Sequence, residues 1–149
     1  METEENTRDK IIALLKSKKF AVLSTSDEGQ PYASLVAFVE SPTLDRILFA
    51  TERGTRKFKN LVANKRVAML VENSSNSGSD VEKAMAVTAT GVTEIAGDLE
   101  RDAISGLYLM KHPYLEDFIK SPTCAFIKVE VEQYFLVENF QTVKTLNLG

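Results

Sequence analysis

One cysteine, Cys124, and one histidine, His112, are all that this chain of 149 residues has of either type. A single cysteine excludes an internal disulfide framework and any multi-cysteine metal centre. The lone histidine has no cysteine or paired acids at ligand spacing, so no metal site is expected, and it reads as a surface or structural residue rather than a catalyst. No apolar run approaches the ~18 residues that a membrane-spanning helix needs. Basic residues do not exceed acidic ones, 18 against 21, and the pI is about 5.3. A general nucleic-acid binder would show a basic excess over the domain, so none is expected. Walker A, GxGxxG and GxSxG are all missing, which removes P-loop, standard dinucleotide and serine-elbow chemistry. There are no internal repeats. The first ten residues, METEENTRDK, are acidic and polar, unlike a signal or transit peptide. A cytoplasmic protein is the expectation.

What is present is an ordinary globular composition, 44% apolar and 26% charged, in a length that suits one domain over residues 1–149. An amphipathic helix is expected over 8–19, with Ile11, Ile12, Leu14 and Leu15 on its buried side. FAVLST (20–25) and YASLVAFVE (32–40) flank Asp27-Glu28-Gly29-Gln30, a hairpin signal in which Gly29 takes the positive φ. RILFAT (46–51), RVAMLVEN (66–73), KAMAVTATGVTEI (83–95) and CAFIKVEVEQYFLVE (124–138) read as further strands, and VKTLNL (143–148) as one able to close the sheet. Gly91 marks a bulge or a close backbone approach. Asn73 to Asp80 is a polar loop. Asp98 is the expected cap of a helix running to about Met110, and a shorter helix follows over 114–120. Tyr134, Phe135 and Phe140 are expected to form an aromatic cluster. Hairpin-connected, mostly antiparallel strands with inserted helices imply a closed or nearly closed barrel, not a doubly wound sheet.

Charge is unevenly placed. The segment from Arg53 to Arg66, RGTRKFKNLVANKR, carries six cations and no acid; the remainder holds 12 cations against 21 acids. Gly54-Thr55 reads as a helix start, with Thr55 as N-cap and Phe58, Leu61 and Val62 as the apolar stripe. Arg56 and Lys57 then fall in the first turn, where the helix dipole is already positive. Two cations there are unfavourable unless an anion sits among them, and the spacing points to a bound phosphate. A solvated cationic face is the competing reading.

The run ILFATERGTRKFKNLVANKRVAMLVE resembles the central motif of the pyridoxamine 5′-phosphate oxidase-like, FMN-binding split-barrel family. Thr51, Thr55, Arg56, Lys57, Leu61, Asn64 and the strand Val67–Val71 carry the likeness, supported by GQPYASLVAF, ATGVTEI and YLMKHP. The resemblance implies a mainly β split barrel with antiparallel strands and peripheral helices, acting as a homodimer with the cofactor at the interface. It implies that Arg56 and Lys57 bind the FMN phosphate, with Thr55 assisting. Phe49, Ala50 and Thr51 would lie along the isoalloxazine, with Ser34, Leu35 and Val36 on the neighbouring strand, and the helices over 98–120 would give part of the outer wall.

Where oxidases acting on pyridoxamine phosphate carry cations, this chain has Ser34, Val39 and His112; it has Ala86 in place of their Gln, and their C-terminal Arg-x-His is missing. That substrate is therefore not expected. The resemblance implies an FMN-dependent oxidoreductase acting on a small molecule. The alternatives it leaves open are a deazaflavin (F420) reductase, a haem-binding or haem-utilisation protein with His112 as ligand, and a non-catalytic flavin-binding stress or sensor protein.

Overall fold

The structure is a computed structural model, described over residues 3–148. Helix α1 (Glu4–Ser17) starts at Thr3, whose hydroxyl accepts from the Asn6 amide. Strands β1 (Phe20–Asp27) and β2 (Gln30–Glu40) form the expected hairpin, with Glu28 at φ 51° and Gly29 at φ 81°. Two successive positive φ values match the right-handed twist of the strands that they join. Then come β3 (Arg46–Glu52), α2 (Arg56–Ala63) and β4 (Arg66–Glu72), and the one-turn helix α3 (Asp80–Lys83), at the end of the polar loop where the sequence shows no helical period. The chain closes with β5 (Met85–Ile95), α4 (Asp98–Lys111), α5 (Glu116–Lys120), β6 (Cys124–Glu138) and β7 (Thr142–Asn147).

All pairings are antiparallel, in the order β3-β2-β1-β4-β5-β6-β7, and β3 also pairs with β6. Six strands thus close a barrel, and closure is made by β3 against the first half of β6. The last strand, expected to close the sheet, instead extends it by pairing with the second half of β6. The fifteen residues of β6 make this possible, because each half has its own partner beyond β5. Gly91 sits at the register shift between β5 and β6, where an added Cβ would lie 2.1 Å from the Glu130 carbonyl oxygen.

Alternation sorts the side chains. Val36, Phe38, Ile47, Phe49, Ile127, Val129 and Tyr134 point into the barrel, which Ile11, Leu14 and Leu15 of α1 help to fill. On the outer face, Val39, Leu48, Ala50 and Phe126 pack under Ile104, Tyr108 and Ile119 of the α4–α5 segment. Three expectations are corrected. Val62 is exposed, so the apolar anchors of α2 are Phe58 and Leu61. The N-cap of α4 is Gly97, whose amide is held by the Glu100 side chain. Tyr134, Phe135 and Phe140 do not cluster: alternation sends Tyr134 into the core and Phe135 outward, while Phe140 is an exposed hairpin residue.

Candidate functional site: a split between two strands

β2 and β3 pair only over Phe38–Glu40 and Ile47–Phe49. Towards Leu35 on one strand and Thr51 on the other they splay apart, although the outer edges stay paired, Leu35 to Val22 and Ala50 to Phe126. The Phe38 amide donates to Lys19 O, on the β1 side, so by alternation the backbone groups of Ala37 and Leu35 face the split. Tyr108 of α4 bridges the beginning of the gap: its hydroxyl donates to Ala37 O at 3.2 Å and receives the Ala50 amide. Burial pushes the Tyr108 phenol above its usual range, so it stays protonated. Leu35 has no ladder partner on the β3 side, and its backbone groups remain open to a ligand edge.

A cleft of about 250 Å³ occupies the split. Leu35, Val36 and Ala37 form one lip and Ala50 the other; Phe20, Tyr114 and Phe118 form its outer wall. Lys57 also lines it, which joins the cleft to the start of α2. That start is rigidly built. The Thr55 hydroxyl donates to Glu52 O at 2.9 Å and accepts from the Phe58 amide at 3.3 Å, with Thr51 Oγ1 at 3.1 Å. Asn60 fastens the helix to β1 by donating from Nδ2 to Thr25 Oγ1. The Thr55 hydroxyl is therefore committed to capping, and what the helix offers outward is the amides of Arg56 and Lys57.

The cationic segment is not uniform. Arg66 pairs with Glu132 at 3.1 Å, and Arg53 lies over the Phe58 ring at 5.6 Å. Arg56 and Lys57 form no ion pair or side-chain hydrogen bond among the described residues. The first turn of α2 thus carries two cations without an acid partner, and one of them, Lys57, lines the apolar cleft. Ser34 Oγ is also buried without a hydrogen-bond partner, on the strand that forms one lip. An unsatisfied buried hydroxyl is uncommon and calls for a partner.

These features assign the expected residues different positions. Leu35 and Ala50 border the cleft on the outer face, and Val36 reaches it although its side chain is buried. Phe49 lies wholly inside the barrel, so only its backbone is near the split; Thr51 is buried behind Thr55. The wall residues Phe20, Tyr114 and Phe118 carried no individual signal in the sequence, beyond the expectation that 98–120 contributes, whereas Tyr108 opens the YLMKHP run that supports the resemblance. His112 is 0% exposed: Nε2 lies 2.8 Å from Phe38 O and Nδ1 3.1 Å from the Tyr114 hydroxyl. Both nitrogens are engaged, so this imidazole is a structural group and not an available haem ligand. Among the described residues no cluster of three His, Cys, Asp or Glu side chains could hold a metal, and no helix is long and apolar enough to cross a membrane.

The sequence profile of the family described as pyridoxamine 5′-phosphate oxidase matches residues 7–138, most of the chain. The chain belongs to the pyridoxamine 5′-phosphate oxidase-like family. No curated protein matches it. Among solved structures it is similar to a haem-binding protein from Mycobacterium smegmatis, with 17% identity and a TM-score of 0.82, covering 99% of this chain and 59% of that one. It is similar to General Stress Protein 26 from Bacillus anthracis, with 17% identity and a TM-score of 0.73, covering 95% and 98%. A FAD-binding protein from Mesorhizobium loti gives 18% identity and a TM-score of 0.70, covering 87% and 90%. At such identities the likeness shows the fold. Val39 packs in the outer cluster, and the His112 imidazole is bound to the Phe38 carbonyl of β2.

Proposed function

We propose that this protein binds FMN in the split between β2 and β3, as an oxidoreductase for a small molecule. The observation that carries this reading is Lys57 lining the apolar cleft from the first turn of α2, with Arg56 beside it in sequence and no acid paired with either. A phosphate satisfies both the cations and the helix dipole. The cleft walls, Leu35, Ala37 and Ala50, suit a flat apolar ring system, and the open Leu35 backbone suits its polar edge. Fold relatives named for FAD and haem binding support a flavin or haem ligand at the level of the family.

Bound there, the flavin would supply hydride or electron transfer. The chain's own residues bind and orient. Lys57 and Arg56 hold the phosphate, Thr55 and Thr51 keep the helix start rigid, and Tyr108 fixes the width of the split. Lys57 is the one cation that lines the cleft, which favours a substrate without a phosphate of its own.

Leu35, Val22 and Leu70 lie side by side across β2, β1 and β4 on the outer face, at 66%, 38% and 37% exposure. This row borders the cleft through Leu35. We propose that a second copy of the chain covers it and completes the cofactor site, in a cytoplasmic homodimer.

Titration of the purified protein with FMN, riboflavin, deazaflavin F420 and haem, read by absorption, tests the reading. FMN is expected to bind well above riboflavin. The double substitution Arg56→Ala, Lys57→Ala is expected to weaken FMN at least a hundredfold while changing riboflavin little, since each charge-assisted phosphate contact is worth about 1.5–3 kcal/mol. No affinity for any flavin would refute the proposal, and equal loss of both flavins would remove the phosphate role. Preference for F420 would redirect it to a deazaflavin. Tight FMN binding with no turnover of small electron acceptors would leave a non-catalytic flavin binder.

A further inference from the structure

The outer wall of the cleft contains one polar group that the cofactor reading does not use, the hydroxyl of Tyr114. Its partner determines what it can offer. His112 Nε2 faces the Phe38 carbonyl at 2.8 Å, and a carbonyl only accepts, so Nε2 carries the hydrogen. The ring is buried and held neutral, which leaves Nδ1 bare. Nδ1 is therefore the acceptor of the Tyr114 O–H at 3.1 Å. With its only hydrogen directed inward, the Tyr114 oxygen retains only acceptor capacity. The ring is fixed as well, lying edge-on to His112 with Lys19 Nζ 5.6 Å from its centroid.

We infer that Tyr114 is the specificity-determining residue of the substrate wall, selecting small aromatic ligands that carry an O–H or N–H donor, and that His112 is the positioning residue that makes it an acceptor. The surroundings match that class. Phe20, Leu115 and Phe118 line the same cleft with apolar surface, and the one cation that lines it, Lys57, is assigned to the cofactor phosphate. An uncharged aromatic alcohol or amine satisfies the Tyr114 lone pair. An ether or ketone of the same shape leaves it unpaired, and sites built around one hydrogen bond discriminate strongly against a ligand lacking it. The inference rests on the flavin reading only for what lies beneath the ligand.

The probe pair is 2-naphthol and 2-methoxynaphthalene, titrated by calorimetry into the protein with and without FMN. Wild type is expected to bind the naphthol about tenfold more tightly than the ether. Tyr114→Phe is expected to bring that ratio close to one through weaker naphthol binding, with FMN affinity unchanged. His112→Leu releases the Tyr114 hydrogen towards the cleft and is expected to move preference towards the ether. If His112→Leu does not fold, the Tyr114→Phe ratio still decides. Equal binding of the two probes by wild type, no naphthol binding, or a ratio that survives Tyr114→Phe would each overturn the inference. A surviving ratio would show that the methyl group is excluded by shape alone. An intact ratio in a protein that binds no FMN would sink the flavin reading and leave this one standing.

Discussion

His112 accepts one hydrogen bond and donates another inside a fully buried site, and its protonation state is tied to that geometry. Burial is the main cause that lowers its pKa from 6.5; Lys111 and Lys19 add to it, while the Phe38 carbonyl and Glu40 act in the opposite sense. Below 6.5 the unfolded chain takes up a proton that the folded chain refuses. The unfolded state then binds more protons, so stability rises with pH and is lost as pH falls from 6.5 towards the lowered folded value. Urea midpoints measured at pH 7.5 and pH 5.5 should show this loss, and His112→Asn should lower the midpoint at pH 7.5 while flattening its pH dependence. Gly91 makes a second residue-scale case. A methyl group there meets the Glu130 backbone, which cannot move without disturbing the β5–β6 ladder. Gly91→Ala is expected to cost about 3 kcal/mol, in the range of overpacked or strained sites, measured by chemical denaturation. The need for glycine at this position was legible in the sequence. The burial of His112 was not, because nothing local distinguishes a sealed histidine from an exposed one.

At the scale of elements, α2 was the most legible part of the chain. Thr55 caps it as its sequence indicates, and Phe58 and Leu61 anchor it at the expected spacing. Thr55→Ala removes the acceptor for the Phe58 amide and should destabilise the fold by about 1 kcal/mol. It should weaken FMN far less than Lys57→Ala does, because the hydroxyl is already committed to the helix and to Glu52. Titrating FMN into both variants separates capping from phosphate binding. Glycine at the α4 cap was less legible, because Asp98 is the better cap by type. The structure uses Gly97 with Glu100 reaching back, and Glu100 is held in place by Lys128 at 2.8 Å. That ion pair joins α4 to β6, residues 28 apart, and no local pattern announces it.

For the whole molecule, the row Leu35–Val22–Leu70 borders the cleft and carries the dimer proposal. Leu70→Glu places a charge on that face without touching the cleft lining, and it should leave the monomer folded. Sedimentation should show wild type as a dimer and the variant as a monomer with weakened FMN binding. A monomeric wild type that holds FMN tightly would refute the interface model. Val39 and His112 are both buried, Val39 in the cluster under α4 and α5 and His112 against the Phe38 carbonyl.

The sequence by itself determined the strands, the β1–β2 turn, the capped cationic helix and the family. Each of these depends on residues close together in the chain: alternation, turn chemistry, an N-cap, a motif spacing. Only the tertiary structure decided where the barrel closes, that β2 and β3 part beyond Phe38, and that Tyr108, His112 and Tyr114 come to rest against that gap. Those outcomes depend on contacts such as His112 with Phe38, 74 residues apart, and Tyr108 with Ala37, 71 apart. Their stability comes from burial and from hydrogen bonds that exist only once the chain has closed, so no local pattern encodes them.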